Sequence, residues 1–98
     1  MKVITICGSF KFKHEMIEIG ESLQLQGHCV ILPIFPVRDN YTDEERLIMG
    51  NMHKEKIKLS DAIFVVNPKG YIGNATYGEI EFAQKLNKEI IYLQEIIK

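Results

Sequence analysis

Four short runs of β-branched and apolar residues alternate with three longer stretches of helical character, and this alternation constrains the fold more than any other feature. The runs cover residues 2–7, 28–32, 62–66 and 89–93. The stretches between them, residues 10–26, 43–59 and 77–86, space their apolar side chains like the buried face of a helix. Strands and helices that alternate in this way are typical of a parallel sheet covered on both faces.

We therefore predict a three-layer α/β/α fold, flavodoxin-like or Rossmann-like, with a parallel sheet of about four strands in the order 2-1-3-4. A chain of 98 residues is expected to form a single domain, residues 1–98. In this strand order the topological switch lies between strands one and three, and ligands bind there at the carboxyl ends of the strands. The loops at residues 7–10 and 67–79 flank that point. Residues 94–98 are predicted to be a tail or an extension of the last strand.

Net charge and hydropathy limit the classes of binding partner that the sequence supports. The net charge is −1, which argues against nucleic acid, because binding to a phosphate backbone calls for a clear basic excess. No apolar run approaches the roughly 20 residues of a membrane-spanning helix. The apolar run at residues 3–6 is too short for the core of a signal peptide. We expect a cytoplasmic protein that binds a small molecule.

The two cysteines are predicted to be free thiols. Cys7 ends the first predicted strand and Cys29 begins the second, so they lie roughly 15 Å apart at about 3.3 Å per residue. Each is interpreted as a small apolar residue that fills space in the core; the alternative for Cys7 is a reactive thiol, because it borders a loop at the ligand-bearing edge. No group of cysteines and histidines has the spacing of metal ligands, so neither a metal nor a cofactor is expected. His53, in the middle of a predicted helix, is interpreted as a histidine at the edge of the core or at an interface.

The first loop offers Gly8, Ser9 and Phe10 directly after a strand. A glycine, a hydroxyl and the free N–H groups of a helix start suit a phosphate or a sugar hydroxyl. The same residues also suit a tight turn that needs small side chains. The sequence leaves these two interpretations open.

The second loop leads into the third predicted helix, with Glu79 expected in its first turn. A carboxylate at this position could attack an anomeric carbon, as in retaining glycoside chemistry, and a helix N-terminus would favour its ionised form. Thr76 and Glu79 also match a capping box, which requires no substrate. Substrate-binding residues are expected on the same loop, and they are Asn67, Tyr71, Gly73, Asn74 and Thr76. The loop after the second strand could close over a base, with Phe35 or Tyr41 stacking and Arg38 meeting a phosphate.

Several segments together resemble the nucleoside 2-deoxyribosyltransferase-like superfamily, which includes deoxynucleoside monophosphate N-glycosidases. They are ITICGSF, GHCVILP, SDAIFVVN and GNATYGEIEFA, and the resemblance extends over residues 3–93. It is closest to a small subgroup with the signature YIG-x-x-T-x-x-E-I-E-x-A. In the characterised enzymes the glutamate of this motif is the nucleophile, and it corresponds to Glu79. The first-strand loop of those enzymes contacts sugar or phosphate, and it corresponds to Gly8, Ser9 and Phe10.

The resemblance implies cleavage or transfer of the N-glycosidic bond of a (deoxy)nucleoside or its monophosphate. It also implies a homodimer or higher homo-oligomer with sites near the subunit interface. One departure is that the transferases carry acidic residues a few positions before the nucleophile, whereas residues 72–75 contain none. The sequence therefore leaves two alternatives to an enzymatic function. One is a non-catalytic nucleotide-binding module on the same fold, and the other is an oligomeric interaction domain.

Overall fold

The computed structural model describes residues 1–95, in which four strands alternate with three helices. The strands are β1 (Val3–Gly8), β2 (Cys29–Ile31), β3 (Ala62–Val66) and β4 (Glu89–Tyr92), and the helices are α1 (Lys13–Leu25), α2 (Asp43–Leu59) and α3 (Asn74–Lys85). Short 3₁₀ turns precede α1 and follow β3. Within the described residues, none of the helices combines the length and the apolarity that a membrane crossing requires. The predicted tail falls partly on residues 96–98, which lie outside the described residues.

The four strands form one parallel sheet in the order β2-β1-β3-β4, which confirms the predicted order. In its register, Ile6 lies opposite Phe64, and Ile63 lies opposite Ile90. The two central strands, β1 and β3, are buried along most of their length. This explains their unbroken apolar sequences, because a sheet covered on both faces buries both sides of each strand.

The helices cover both faces of the sheet and give three layers. Successive side chains of a strand point to opposite faces. Ile6 accordingly packs in a core with Met16 of α1. Cys7, the next residue, packs in the other core with Ile57 of α2 and Ile80 of α3. Because Cys7 is the penultimate residue of β1, its side chain lies beneath α2 and α3 at the edge where ligands are expected.

The third helix begins three residues earlier than the sequence predicted, and this changes the setting of Glu79. The N-cap is Gly73, in extended conformation and without a side-chain cap. Thr76 is therefore not a cap residue; it lies inside the helix and is buried. Glu79 belongs to the second turn, so the expected capping box is wrong. The capping box predicted at the start of α2 is present. The Thr42 side chain accepts a hydrogen bond from the N–H of Glu45, and the Glu45 side chain accepts one from the N–H of Thr42.

Candidate functional site

A cavity of about 540 Å³ lies between the end of β1, the loop after β2, one side of α2 and the beginning of α3. This volume lies within the range of small-molecule pockets, roughly 300–1,000 Å³. Much of the lining is apolar and includes Pro33, Ile34, Pro36, Ile48, Met49 and Met52. Three of the predicted site residues, Gly8, Phe10 and Glu79, border the cavity. The site thus lies where the fold predicts a ligand.

Among the described residues that line this cavity, Glu79 is the one that is acidic. Its side chain is 22% exposed, so it reaches the cavity while most of its surface is covered by protein. Burial raises the pKa of Glu79 from 4.5 to about 7, and a hydrogen bond from the Cys7 thiol and the positive charge of Lys54 partly oppose the shift. The expectation that a helix N-terminus keeps this carboxyl group ionised is wrong, because the helix-terminal effect falls off after the first turn.

His53 projects from α2 onto the same carboxylate. Its Nε2 lies 3.7 Å from Glu79 Oε1 and 3.5 Å from Cys7 Sγ. Burial, together with the positive charge of Lys56, lowers the pKa of His53 to about 4. The imidazole is therefore neutral at physiological pH. Although the His53–Glu79 distance meets the usual limit for an ion pair, the contact is not one, because His53 is neutral; Glu79, with a pKa of about 7, is partly ionised near neutral pH.

Cys7 forms the floor of this cluster. It is 1% exposed, and burial, with a contribution from the negative charge of Glu79, raises the pKa of its thiol well above the ordinary value. A protonated thiol is a poor nucleophile. In the absence of a metal, Cys7 is thus a weak hydrogen-bonding group beside Glu79. Both cysteines are free, and Cys29 is exposed.

The first loop serves both as a turn and as a wall of the cavity. A Cβ atom on Gly8 would lie 3.0 Å from the carbonyl oxygen of Val66 and 3.2 Å from Sδ of Met16, so a side chain here would require these neighbours to move by a few tenths of an ångström. The Oγ of Ser9 accepts a long hydrogen bond from the N–H of Lys11 at 3.4 Å and caps the 3₁₀ turn. The predicted helix start at residue 10 is this turn, and α1 itself begins at residue 13.

Phe10, in the loop after β1, and Tyr71, in the loop after β3, pack against different aromatic residues. Phe10 is 47% exposed at the cavity and packs edge-on against Phe35, with ring centroids 5.4 Å apart. Tyr71 does not line the cavity. It packs against Phe12 with a centroid distance of 5.8 Å, and Nζ of Lys11 lies 3.4 Å from the centre of its ring. Tyr71 is therefore engaged with the residues that precede α1.

The remaining predicted residues of the second loop lie outside the cavity lining. Gly73 is the N-cap of α3, Asn74 is its exposed first residue, and Thr76 faces the interior. Ala75, which the sequence did not single out, borders the cavity. The geometry thus brings Gly8, Phe10 and Glu79 together and leaves Ser9, Asn67, Tyr71, Gly73, Asn74 and Thr76 outside the wall.

Asn67 is fully buried and ties the end of β3 to the chain after β4. Its Nδ2 donates to the carbonyl of Gln94 at 2.8 Å, and its Oδ1 accepts from the N–H of Gln94 at 2.9 Å. We expect Asn67→Ala to lower the free energy of unfolding by about 1–3 kcal/mol, because two hydrogen bonds to the backbone of Gln94 are lost, each worth roughly 0.5–1.5 kcal/mol. Chemical denaturation measures this loss, and Asn51→Ala on the exposed side of α2 is the control. Unchanged stability with weakened ligand binding would instead support the substrate-binding role predicted from the sequence.

Two cations border the cavity, Arg46 and Lys56 of α2. Lys56 donates from Nζ to the carbonyl of Leu32 at 3.0 Å and so supports the loop after β2. The guanidinium of Arg46 is 61% exposed and lies 3.7 Å from a carboxylate oxygen of Asp43. Arg38, the phosphate contact suggested by the sequence, pairs with Glu45 at 3.0 Å. Arg46 is therefore the cation best placed to meet an anionic group in the cavity.

Sequence reasoning did not include His53 in the candidate site. Its predicted position at the core edge agrees with a side-chain exposure of 11%, and the structure adds its contacts with Cys7 and Glu79. Its position four residues before the buried Ile57 was the available signal, since residues spaced by four share one face of a helix. The partners of His53 come from β1 and α3, and sequence spacing alone does not bring three separate elements together.

The fold and the cavity define the class of protein. It is a three-layer α/β protein with a parallel sheet in the order 2-1-3-4 and a concave, largely apolar site beside the switch point, bordered by one partly buried carboxylate.

A comparison with solved structures shows a particular protein with a similar fold. The structure described as a 2-desoxiribosyltransferase from Leishmania mexicana is similar, with a TM-score of 0.71 over 94% of the present chain and 16% sequence identity. The present chain spans 63% of the length of that chain. A sequence identity of 16% shows a shared fold and no more. For the fold, the comparison confirms the resemblance that the sequence analysis described. No protein-family model and no curated protein matches the sequence.

Proposed function

We propose that the protein cleaves or transfers the N-glycosidic bond of a (deoxy)nucleoside or nucleoside monophosphate, with Glu79 as the nucleophile. One observation carries this proposal. The partly buried carboxylate of Glu79 borders a cavity that also borders Gly8 and Phe10, the residues expected to meet sugar or phosphate. The fold shared with a deoxyribosyltransferase supports the same chemistry.

The chemistry requires little beyond this arrangement. An oxygen of the Glu79 carboxylate attacks C1′ of the sugar, and the bond from C1′ to the base nitrogen breaks with its electron pair leaving on the base. The base takes up one proton. Water, or a second base in a transfer reaction, then attacks C1′, gives up a proton and releases the carboxylate. The exposed apolar side chains at the rim, Ile48 and Met52 among them, suit the flat faces of a nucleobase.

The direct experiment is an assay of base release in the presence of a chelator. The protein is incubated with deoxynucleosides and deoxynucleoside monophosphates, with and without a second base, and the products are separated by chromatography. A free base indicates hydrolysis, and an exchanged nucleoside indicates transfer. If neither product forms with any substrate of the panel, the proposed reaction is excluded.

Arg46 is expected to favour the monophosphate over the nucleoside. In Arg46→Gln we expect kcat/KM to fall about tenfold or more for a deoxynucleoside monophosphate, because a hydrogen bond to a charged group is worth roughly 1.5–3 kcal/mol. The value for the unphosphorylated nucleoside should change little. The control is Lys58→Gln on the same helix, whose side chain pairs with Glu55 outside the cavity. Equal losses for both substrates would remove the phosphate contact from the proposal.

A non-catalytic nucleotide-binding module is the second candidate. The observation that favours it is the absence of an acidic residue at positions 72–75, just before the helix turn of Glu79. Such a module would bind a deoxynucleotide and gain thermal stability that rises with the logarithm of ligand concentration above Kd, without releasing base. The base-release assay and a thermal-shift titration with the same nucleotide therefore separate the two candidates.

We also propose that the chain assembles into a homodimer or higher oligomer. Ile34, Leu47, Ile48 and Met52 are more than half exposed on α2 and the loop before it, and all of them except Leu47 also border the cavity. Such an apolar surface supports an association. Sedimentation velocity at several concentrations tests it, and a single species with the mass of one chain would contradict it.

A further inference from the structure

We propose that Cys7, His53 and Glu79 together form a binding site for one Zn²⁺ ion. The three side chains come from β1, α2 and α3, and each offers one ligand atom. All three ligand atoms lie within 4.8 Å of one another, with Cys7 Sγ 3.5 Å and Glu79 Oε1 3.7 Å from His53 Nε2. This site goes beyond the proposed function and does not depend on it.

Two of the three separations are close to those of ligands on one tetrahedral ion. With Zn–S of about 2.3 Å and Zn–N and Zn–O of about 2.0–2.2 Å, neighbouring ligand atoms lie roughly 3.3–3.6 Å apart. The measured distance between Cys7 Sγ and His53 Nε2, 3.5 Å, already has this value. The separation between Cys7 Sγ and the Glu79 carboxylate is at most 4.8 Å, so this carboxylate, on the most exposed of the three side chains, moves by up to roughly 1 Å to coordinate the same ion.

The ligand types select the metal. A thiolate and an imidazole are ligands that Zn²⁺ accepts readily, whereas Mg²⁺ and Ca²⁺ prefer an environment of oxygen atoms. The His53 ring also presents the appropriate nitrogen, since its polar contacts are made through Nε2 while Nδ1 is buried without a hydrogen-bond partner among the described residues.

The position of the cluster leaves a fourth coordination site on the cavity side. Cys7 lies beneath the cluster, whereas His53 and Glu79 both border the cavity. Three protein ligands and one open position form the usual arrangement of a reactive zinc site rather than a closed structural one. While the ion is bound, Glu79 cannot act as a nucleophile, so Zn²⁺ should inhibit base release, and a chelator should restore it.

The test uses cobalt as a spectroscopic substitute for zinc in the Cys29→Ser variant, where Cys7 is the one remaining thiol. The metal-free variant is titrated with Co²⁺ and then with Zn²⁺. We expect one Co²⁺ per chain, a thiolate-to-cobalt charge-transfer band, visible absorption typical of tetrahedral cobalt, and loss of both signals as Zn²⁺ displaces Co²⁺. Absence of the charge-transfer band at saturating Co²⁺ would overturn the proposal.

Variants of histidine assign the second ligand. In His53→Gln, Zn²⁺ affinity measured by competition with a chelating dye should fall by more than the roughly 10–100-fold that loss of an outer-shell partner costs. His14→Gln, on the exposed side of α1, is the control and should leave affinity unchanged. Equal affinities in both variants would refute the site. Because these readouts need no turnover, a protein that binds Zn²⁺ but releases no base would refute the proposed function alone.

Discussion

Glu79→Gln is expected to lower base release by at least about 10³-fold, because the amide preserves the shape of the side chain but cannot form the glycosyl ester. Binding of the substrate should change far less, since the cavity wall is otherwise intact. The measurement is the single-turnover rate of base release in the presence of a chelator, with binding followed separately. A rate within a few-fold of the unmodified protein would exclude Glu79 as the nucleophile.

The same substitution should affect stability in the opposite direction, with a defined dependence on pH. The pKa of Glu79 in the folded protein is about 7, above the ordinary value of 4.5, because burial disfavours the ionised form. The unfolded chain therefore loses its proton first, and the folded state of the unmodified protein loses stability as pH rises from about 4.5 to 7. The full effect is on the order of 3 kcal/mol.

The glutamine side chain of this variant does not ionise, so it lacks the pH dependence of the Glu79 carboxyl group. In the metal-free protein, the free energy of unfolding of Glu79→Gln relative to the unmodified protein should thus rise between pH 5 and pH 8. Glu81→Gln is the matched control, because Glu81 lies on the exposed side of the same helix. If the difference between Glu79→Gln and the unmodified protein is independent of pH, Glu79 is not held in a poorly solvated position.

Ile57→Ala is expected to produce the largest loss of stability, about 2–5 kcal/mol. Ile57 is completely buried, and among the residues of α2, which are all described, it is the one buried side chain. It packs in the core with Ile63 of β3 and Ile80 of α3. Truncation leaves a cavity at the point where α2 is anchored to the sheet. Because α2 forms one side of the cavity that Glu79 borders, we also expect a lower rate of base release.

Denaturant titration and the base-release assay measure the two effects of this substitution. Leu59→Ala is the control on the same helix, since Leu59 is 74% exposed, and it should change stability by no more than about 0.5 kcal/mol. Ile57→Val, which removes a single methyl group, should cost about 0.5–1.5 kcal/mol. A loss below about 1 kcal/mol in Ile57→Ala would mean that other contacts hold α2 in place.

The architecture was readable from the sequence because it depends on local patterns. The β-branched runs at β1 and β3 have the period and length of buried strands, and α2 carries a matching cap at Thr42. Once strands and helices alternate, the handedness of the connections restricts the strand order to few choices. The sheet order and the location of a cavity at its switch point follow from these facts.

The boundary of α3 was predicted less well. The sequence pattern indicated a cap at Thr76, whereas in the structure the N-cap is Gly73 and Thr76 is buried inside the helix. Packing of α3 against the sheet thus overrides the local capping pattern. The three-residue displacement matters for function, because it moves Glu79 from the helix N-terminus to a buried position against Cys7 and His53.

The sequence by itself determined the layers, the strand order and Glu79 as the carboxylate at the ligand-bearing edge. Only the tertiary structure decided which side chains surround that carboxylate. Cys7 and His53 are 46 residues apart in the chain, yet Sγ and Nε2 lie 3.5 Å apart. The physical reason is that strand and helix formation depend on neighbours within a few residues, whereas the ionisation of Glu79 and any binding of Zn²⁺ depend on burial and on ligand atoms contributed by three separate elements.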